Sequence, residues 1–446
     1  VASVETGLVA SFDLNLVTPF EYQSYDGSGN NLQNPTFGVA DTPLRRVGAA
    51  NYGDGRSTLR DGVNPRLISN AVARWPNAGE PPLSAANLSD MVWVWGQFLD
   101  HELDLTPEDS GETANVVAPA DDPTLPNGTI AFHRSRFVVD ERGVRQQINV
   151  ISAFIDGTNL YGASSRRALA LRTLDGSGKL KVSHGNLGPL NVGAVFDNAN
   201  MGREDAQQLF LFGDVRGNEN AALISIHTLF VREHNWWCDT LLAEHPEWRQ
   251  DDERLFQEAR RRVVAEMQHV TFAEFLPALL GNGSGALGPY TGYDASVDST
   301  IATEFSTALY RVGHTMVSDK LHLGTDGQTV ALADVFFKPS FIKSNGIDGV
   351  LEGAATHRMQ QIDNFVVEAL RNMLFGRPDD PAGRLHDLAT LNLQRGRDHG
   401  LPLYNDAREA YGLARKASID DITSNADVRA ALNTAFGGNV DAIDLW

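Results

Sequence analysis

The chain has 446 residues, 42% of them hydrophobic and 21% charged, an ordinary globular composition with length for about three domains at roughly 150 residues each or for one large one. A formal net charge of −20 and a pI near 4.9 repel phosphate at long range, which speaks against nucleic acid or an anionic membrane surface as partner. No run of about 18 apolar residues occurs, so no membrane span is expected, and the single Cys238 excludes an intrachain disulfide framework and reads as a buried, inert thiol.

The chain opens Val1-Ala-Ser with neither Met nor a basic and apolar leader, as expected if a targeting segment has been removed or the chain trimmed. Residues 1–80 are rich in turn chemistry (Asp26-Gly-Ser-Gly-Asn-Asn, Asp54-Gly, Asp61-Gly) and predict an arm laid over a core formed by 81–446. Asn87 or Ser89 is the expected N-cap of the next helix. There Leu88, Met91, Val92, Trp95 and Leu99 recur at the spacing of a buried stripe. Another face carries Gln97, Asp100, His101 and Asp104, so an amide, carboxylates and an imidazole can project into one cavity. Further on, 129–140 alternates like a strand, and Asp175-Gly-Ser-Gly-Lys-Leu-Lys-Val reads as a small hairpin. Helical patterns dominate over 219–244, 250–280, 298–318, 355–375, 403–414 and 419–435. With no repeat or linker between them, they predict a mainly α protein: a single large helical domain with a few short β-hairpins.

Four later stretches carry chemistry. Arg216 and Glu219, three apart in a Gly-broken turn, stand at a helix entrance, where a dipole-favoured Glu and a solvated Arg are the plain alternative. His314 lies on an apolar helix one turn after Arg311; it is a satisfied core histidine or the fifth ligand of a haem iron. Asn392, Arg395, Arg397 and Asp398 crowd one stretch, either as an ion-paired loop or as a group that orients an imidazole and neutralises propionates. Ser152, Asp156 and Thr158 put hard oxygen donors at close spacing, which suits Ca²⁺. Glu266-x-x-His269 is half of a di-iron pattern without its second half, and His227 and His234 read as packing or capping histidines.

Together, Gln97-x-x-Asp100-His101, Arg216-x-x-Glu219, Arg311-x-x-His314, Asn392-x-x-Arg395 and the Asp156-x-Thr158 loop resemble the animal-type haem peroxidases of the peroxidase–cyclooxygenase superfamily. The resemblance runs from about Pro65 to Trp446. It implies haem b and Ca²⁺ as cofactors. It also implies reduction of hydrogen peroxide, with oxidation of halide, thiocyanate or small phenolic donors through a ferryl intermediate, in a secreted or extracytoplasmic setting. By the same resemblance His101 is the distal histidine, Arg216 its catalytic partner and Gln97 the amide that orders water or halide. His314 is the proximal iron ligand and Asn392 its hydrogen-bonding partner, while Arg311 and Arg395 meet the propionates. Asp100 and Glu219 match the carboxylates that form esters to haem methyl groups in mammalian members. Position 220 is Asn where some members carry a Met that forms a sulfonium link, so that third bond is expected to be absent.

Ser152, Phe154 through its carbonyl, Asp156 and Thr158 match the family's calcium loop. The residue after the distal histidine is Glu102 where the family usually has Asp, so altered calcium geometry is expected. Asp441-Ala-Ile-Asp-Leu-Trp446 falls where the family continues, so a truncated C-terminus is expected. Two rivals remain. A fatty-acid oxygenase of cyclooxygenase type needs a Tyr three residues before the proximal His; that position is Arg311, and on a regular helix Tyr310 is turned about 100° away. A non-catalytic adhesion or matrix module on the same fold is opposed by the filled catalytic positions.

Overall fold

The computed structural model describes residues 22–77, 79–281, 287–374 and 386–446. The first 21 residues of the expected arm, its residue 78 and the last residue of the 355–375 pattern lie outside them. In chain order α1 (Pro65–Ile68) precedes α2 (Met91–Leu103), followed by the short α3 (Thr158–Tyr161) and α4 (Ser165–Leu171). The long α5 (Ala221–Glu244) packs on α6 (Asp252–His269), which runs through a π-helical turn at Val270–Phe275 into α7 (Leu276–Leu280). A π turn at Phe305–Leu309 and a 3-10 turn at Tyr310–Val312 lead into α8 (Gly313–Met316). Then come α9 (Pro339–Asn345), α10 (Asp348–Thr356), α11 (Glu368–Arg371), α12 (Leu388–Asp398), α13 (Tyr404–Ala410) and α14 (Ala426–Phe436).

Strands are confined to small antiparallel sheets. β1 (Thr42–Pro43) and β4 (Phe137–Val139) flank β5 (Arg145–Asn149), with Thr42 opposite Asn149 and Val139 opposite Arg145. β2 (Val116–Val117) pairs with β3 (Thr129–Ile130), and β6 (Lys320–Leu323) with β7 (Gln328–Ala331).

The core forms where α2 meets α5. The first turns of α5 hold Ala221, Ala222, Leu223, Ile224 and Ile226, all buried, so this end of the helix sits inside. Asn220 caps it by accepting from the Leu223 amide at 2.9 Å. From α2, Phe98 stacks on Phe230 at 5.2 Å between centroids and Trp95 tilts against Phe230 at 5.8 Å. Such ring pairs add about 0.5–1.5 kcal/mol beyond burial, and Phe98→Ala would cost roughly 3–5 kcal/mol. A second core joins α1, α12 and α14 through Ile68, Leu393 and Phe436. Beneath it Arg66, fully buried, meets Asp122 at 2.7 Å and Asp387 at 2.6 Å. Removing either partner of such a buried pair leaves a stranded charge at a cost of about 3–5 kcal/mol.

The mainly helical class, the 219–244 helix and the 250–280 helix stand as expected. Other elements differ. The N-cap position of α2 is Asp90, not Asn87 or Ser89, and its side chain accepts from the Trp93 indole at 2.8 Å rather than from a backbone amide of the first turn; Asn87 takes a left-handed φ of 58°. The 129–140 stretch divides into β3 and β4. The expected hairpin at 175–182 is a tight Asp175 turn with one bridge, Arg172 to Leu180, because the Asp175 carboxylate gathers the Ser177 amide and the Thr173 hydroxyl. Among the described residues of 355–375 only 355–356 and Glu368–Arg371 are helical, whereas α9 and α12 lie outside the expected patterns: α12 is polar on average, and its helix is held by tertiary contacts. Glu266 is an ordinary helix residue that accepts from the Trp237 indole at 2.8 Å, and Cys238 is a buried free thiol.

Candidate active site

One cavity of about 480 Å³ collects the chemistry. α2 delivers Gln97, Asp100 and His101; the turn before α5 delivers Arg216 and Glu219; the segment ending in α8 brings Arg311 and His314; and α12 brings Arg395. The remaining walls are largely apolar, with Phe275, Met316, Phe336, Leu370 and Leu391 among them. The turn that carries Arg216 is fixed by a close approach. A Cβ on Gly213 would lie 2.3 Å from the Thr158 carbonyl, so only glycine lets this turn lie against α3, where the Asp214 amide donates to the Asn159 carbonyl at 2.9 Å.

Asp214 is the site residue that pattern reading missed. Its carboxylate accepts from Arg216 Nε and Nη2, each at 2.9 Å, and from the Arg216 amide at 2.7 Å. Burial opposes the Asp214 charge, yet Arg216 holds its carboxyl below the usual range. Arg216 Nη2 also donates to the Asp104 carbonyl at 2.9 Å, and Nη1 lies 3.6 Å from Asp100. The guanidinium is therefore aimed rather than free. The sequence signal was an acid two residues from an arginine in a Gly-broken turn.

His101 is 3% exposed. Burial first, and then Arg216, depress its basicity well below the ordinary value, so the ring is neutral. Its Nδ1 is a buried nitrogen without a hydrogen-bond partner, 3.9 Å from Asp214, and its Nε2 lies 3.9 Å from Glu219. Gln97 is locked at both ends: its Nε2 donates to Glu219 at 2.8 Å and its Oε1 accepts from Asn220 at 2.8 Å. Burial pushes the Asp100 carboxyl up to about 8, with Asp104 adding to it, and pushes Glu219 up to about 7. Burial therefore disfavours the charge of both acids, Asp100 more than Glu219.

Facing the same cavity, His314 Nδ1 is 2.8 Å from Asn392 Nδ2, and Arg311 Nη1 donates to Asn392 Oδ1 at 2.9 Å. Burial brings His314 down to about 3, with Arg311 acting in the same direction. Arg395 is more fully committed than expected. It donates to Asp398 at 3.0 Å and to Ser135 at 2.8 Å, pairs with Glu108, and covers the Phe132 ring at 4.1 Å. Tyr310 departs from expectation. It lines the cavity and donates to the Gly96 carbonyl at 3.0 Å, because the helix here is a π turn followed by a 3-10 turn and the regular 100° step does not apply.

Residues 22–446 match the model of the animal haem peroxidase family. The chain belongs to that family. It is accordingly a haem-dependent peroxidase, an oxidoreductase. It is 36% identical to peroxinectin A of Dictyostelium discoideum, over 96% of this chain and 82% of that protein. To the human peroxidasin homolog it is 32% identical, over 96% of this chain and only 32% of that longer protein. The solved structure of peroxidase A from Dictyostelium discoideum superposes with a TM-score of 0.87 at 33% identity, covering 96% of this chain and 85% of that one. A fatty acid alpha-dioxygenase of Oryza sativa, at TM-score 0.75 and 21% identity over 95% of this chain and 73% of that one, shares the fold alone.

The residues of this animal haem peroxidase fit its cofactor. The cavity falls within the roughly 300–1,000 Å³ that holds a small-molecule ligand. It offers a neutral imidazole bound only through Nδ1, a second imidazole with an unpartnered Nδ1, and arginines for a dianion.

The oxygen-donor loop lies behind α2. Glu102 accepts from the Asp156 amide at 2.6 Å, the Asn159 amide at 2.8 Å and the Gly157 amide. Asp156 accepts from Ser152 Oγ at 2.6 Å and Thr158 Oγ1 at 2.5 Å. Burial and the facing Asp156 charge raise Glu102 to about 8, and burial raises Asp156 as well. No cluster of three His, Cys, Asp or Glu side chains poised for a metal is present among the described residues. The loop brings two carboxyls, Ser152 and Thr158 together. No described helix is long and apolar enough to cross a membrane.

Proposed function

We propose that the cavity is a peroxide-reducing centre in which His314 holds the haem iron and His101 moves the proton. The observation that supports this most is the pair of buried neutral imidazoles, from α2 and α8, lining one cavity with Arg216. Haem, when bound, supplies the iron on which peroxide is reduced and from which electron donors are oxidised. His101 takes a proton from one peroxide oxygen and returns it to the other, acting as base and then acid. Arg216, aimed by Asp214, stabilises the charge that develops as the O–O bond breaks. Gln97, its amide set by Glu219 and Asn220, presents a fixed dipole to water or a small anion.

On the proximal side, an imidazole that gives its Nε2 lone pair to a metal carries its proton on Nδ1 and needs an acceptor there. Asn392 would supply one with its oxygen turned toward His314, and Arg311, which holds that oxygen here, would instead hold a propionate. Arg395 is the second propionate partner. Asp100 and Glu219 are proposed to form esters with haem methyl groups. Burial that disfavours the carboxylate charge also favours the neutral ester, and denaturing extraction after peroxide treatment that released all the haem unmodified would refute the assignment. Glu102, Ser152, the Phe154 carbonyl, Asp156 and Thr158 are read as the Ca²⁺ site, where two facing buried carboxyls call for a cation.

Hydrogen peroxide with halide, thiocyanate or small phenols is the proposed substrate set, in a secreted or extracytoplasmic setting. Residues 1–80 are read as an arm on the catalytic domain 81–446, supported by β1 pairing with β5 and Arg45 bridging to Ala302. The deciding experiment is steady-state oxidation of iodide, bromide, thiocyanate and a phenol by the haem-loaded protein, with His101→Ala beside it. Equal rates in that variant would overturn the assigned proton transfer.

A further inference from the structure

Tyr161 and His234 lie outside the chemistry described so far. Both are fully buried, Tyr161 at the end of α3 and His234 in α5. Tyr161 Oη is 3.0 Å from His234 Nδ1, and His234 Nε2 is 3.0 Å from the Gly178 carbonyl. A backbone carbonyl only accepts, so Nε2 carries the ring proton and Nδ1 is left with its lone pair. The phenol O–H therefore points at a free base. Burial keeps that base neutral by drawing His234 down to about 4. The rings meet edge to face at 5.4 Å, and Phe256 packs on both, at 5.6 Å from Tyr161 and 5.2 Å from His234.

For packing alone, a phenylalanine against an aliphatic residue would fill this space without the cost of burying two polar groups. What the pair has beyond packing is a phenol already bonded to its proton acceptor. The helix of Tyr161 is also tied to α2, which carries His101. Asn159, two residues before Tyr161, donates through its side chain to the Phe98 carbonyl at 2.8 Å and through its amide to Glu102 at 2.8 Å. Both partners are in α2, and Glu102 follows His101 directly.

We propose that Tyr161 and His234 form a proton-coupled redox pair that stores one oxidising equivalent outside the cavity. The inference rests on the peroxidase reading, since peroxide reduction in the cavity is the oxidant. In the step, one electron leaves Tyr161 for the haem centre that peroxide reduction has left oxidised by two equivalents, and that centre is reduced by one of them. The phenol O–H bond breaks and its proton moves to His234 Nδ1. The products are a neutral tyrosyl radical and an imidazolium whose two N–H groups face the phenoxyl oxygen and the Gly178 carbonyl. A one-electron donor later returns the electron, and the proton goes back from Nδ1 to oxygen. Separating the two equivalents in this way suits donors that give one electron at a time, such as phenols.

Rapid freeze-quench electron paramagnetic resonance tests it on the haem-loaded protein after one equivalent of peroxide, with peroxide consumption followed in the same samples. A tyrosyl signal is expected that narrows with ring-deuterated tyrosine and shows a hydrogen-bonded exchangeable deuteron in D₂O. It should fall at least tenfold in Tyr161→Phe, which keeps the ring packing, and change its g-anisotropy in His234→Gln. If wild-type protein consumes peroxide but shows no tyrosyl radical, or a radical without that deuteron, the pair is not redox-active and the peroxidase reading stands. An undiminished signal in Tyr161→Phe overturns the assignment in the same way. Absence of peroxide consumption overturns both readings.

Discussion

Asp214 clamps Arg216 through two side-chain hydrogen bonds of 2.9 Å each, and both groups are withdrawn from solvent. The guanidinium cannot be swung into the cavity and out again without breaking a charge pair, so its place is set before any ligand arrives.

Asp214→Asn keeps the size of the side chain and removes the charge. The paired Arg216 is then left buried, at a stability cost of roughly 3 kcal/mol. A misplacement of about 1 Å near the reacting atoms is worth up to about 100-fold in rate, so kcat/KM for peroxide should fall about 10- to 100-fold. Stopped-flow reaction with peroxide, set beside a thermal melt, checks both. A variant that reacts at the wild-type rate would show that Arg216 needs no clamp.

Asn392 sits between Arg311 and His314. Replacing it with Asp puts a stronger acceptor against His314 Nδ1, makes the imidazole more anionic and should lower the reduction potential of the bound haem. Asn392→Leu leaves that nitrogen unpaired and should weaken haem affinity by about 10- to 100-fold, the usual cost of losing such an outer partner. Spectroelectrochemical titration and haem transfer to apomyoglobin measure the two. An unchanged potential in the Asp variant would refute the assignment of Asn392 as the partner that tunes His314.

These two cases show what the sequence made legible. Gln97, Asp100 and His101 fall at helical spacing on an apolar-backed segment, and Arg216, Arg311, His314 and Arg395 could be placed by motif. All of them line one cavity. Asp214 was passed over because its value lies in a carboxylate turning back on a residue two positions later, which has no periodicity. Tyr310 was misjudged because a π turn beside a 3-10 turn breaks the angular arithmetic of a regular helix. The α12 helix was unexpected because its buried Arg395, Arg397 and Asp398 look like surface residues until their partners are known. Arg397 meets Asp444, 47 positions away, at 3.0 Å.

Glu219 gives a prediction about pH in the haem-free protein. Burial raises its folded value to about 7, above the roughly 4.3 of an unfolded chain. The protonated acid is therefore the form the fold prefers. Its contribution is complete below about pH 4.3 and is lost as pH rises through 7. Glu219→Gln cannot ionise at this position, so its melting temperature should fall less between pH 5 and 8 than that of wild type; Asp100 and Glu102, raised likewise, contribute a decline to both proteins. The difference at pH 8 is on the order of 1–2 kcal/mol once the partial opening of this carboxyl to the cavity is allowed for. Parallel declines in the two proteins would refute it.

Glu102 combines two functions that a substitution can separate. Its carboxylate accepts from the amides of Asp156, Gly157 and Asn159, so it closes the start of α3 whether or not a cation is present. Glu102→Gln keeps one acceptor oxygen and turns an NH₂ group toward backbone donors. Each amide left without its acceptor costs about 1–3 kcal/mol, so the metal-free variant should melt well below the metal-free wild type. Glu102→Asp is shorter by one methylene and restores a carboxylate, but it cannot span the same three amides. It should recover Ca²⁺ binding, measured by metal analysis after dialysis, better than it recovers metal-free stability. If Glu102→Gln retained stoichiometric Ca²⁺, the carboxylate would be a helix cap alone, and Glu102 would not be a calcium ligand.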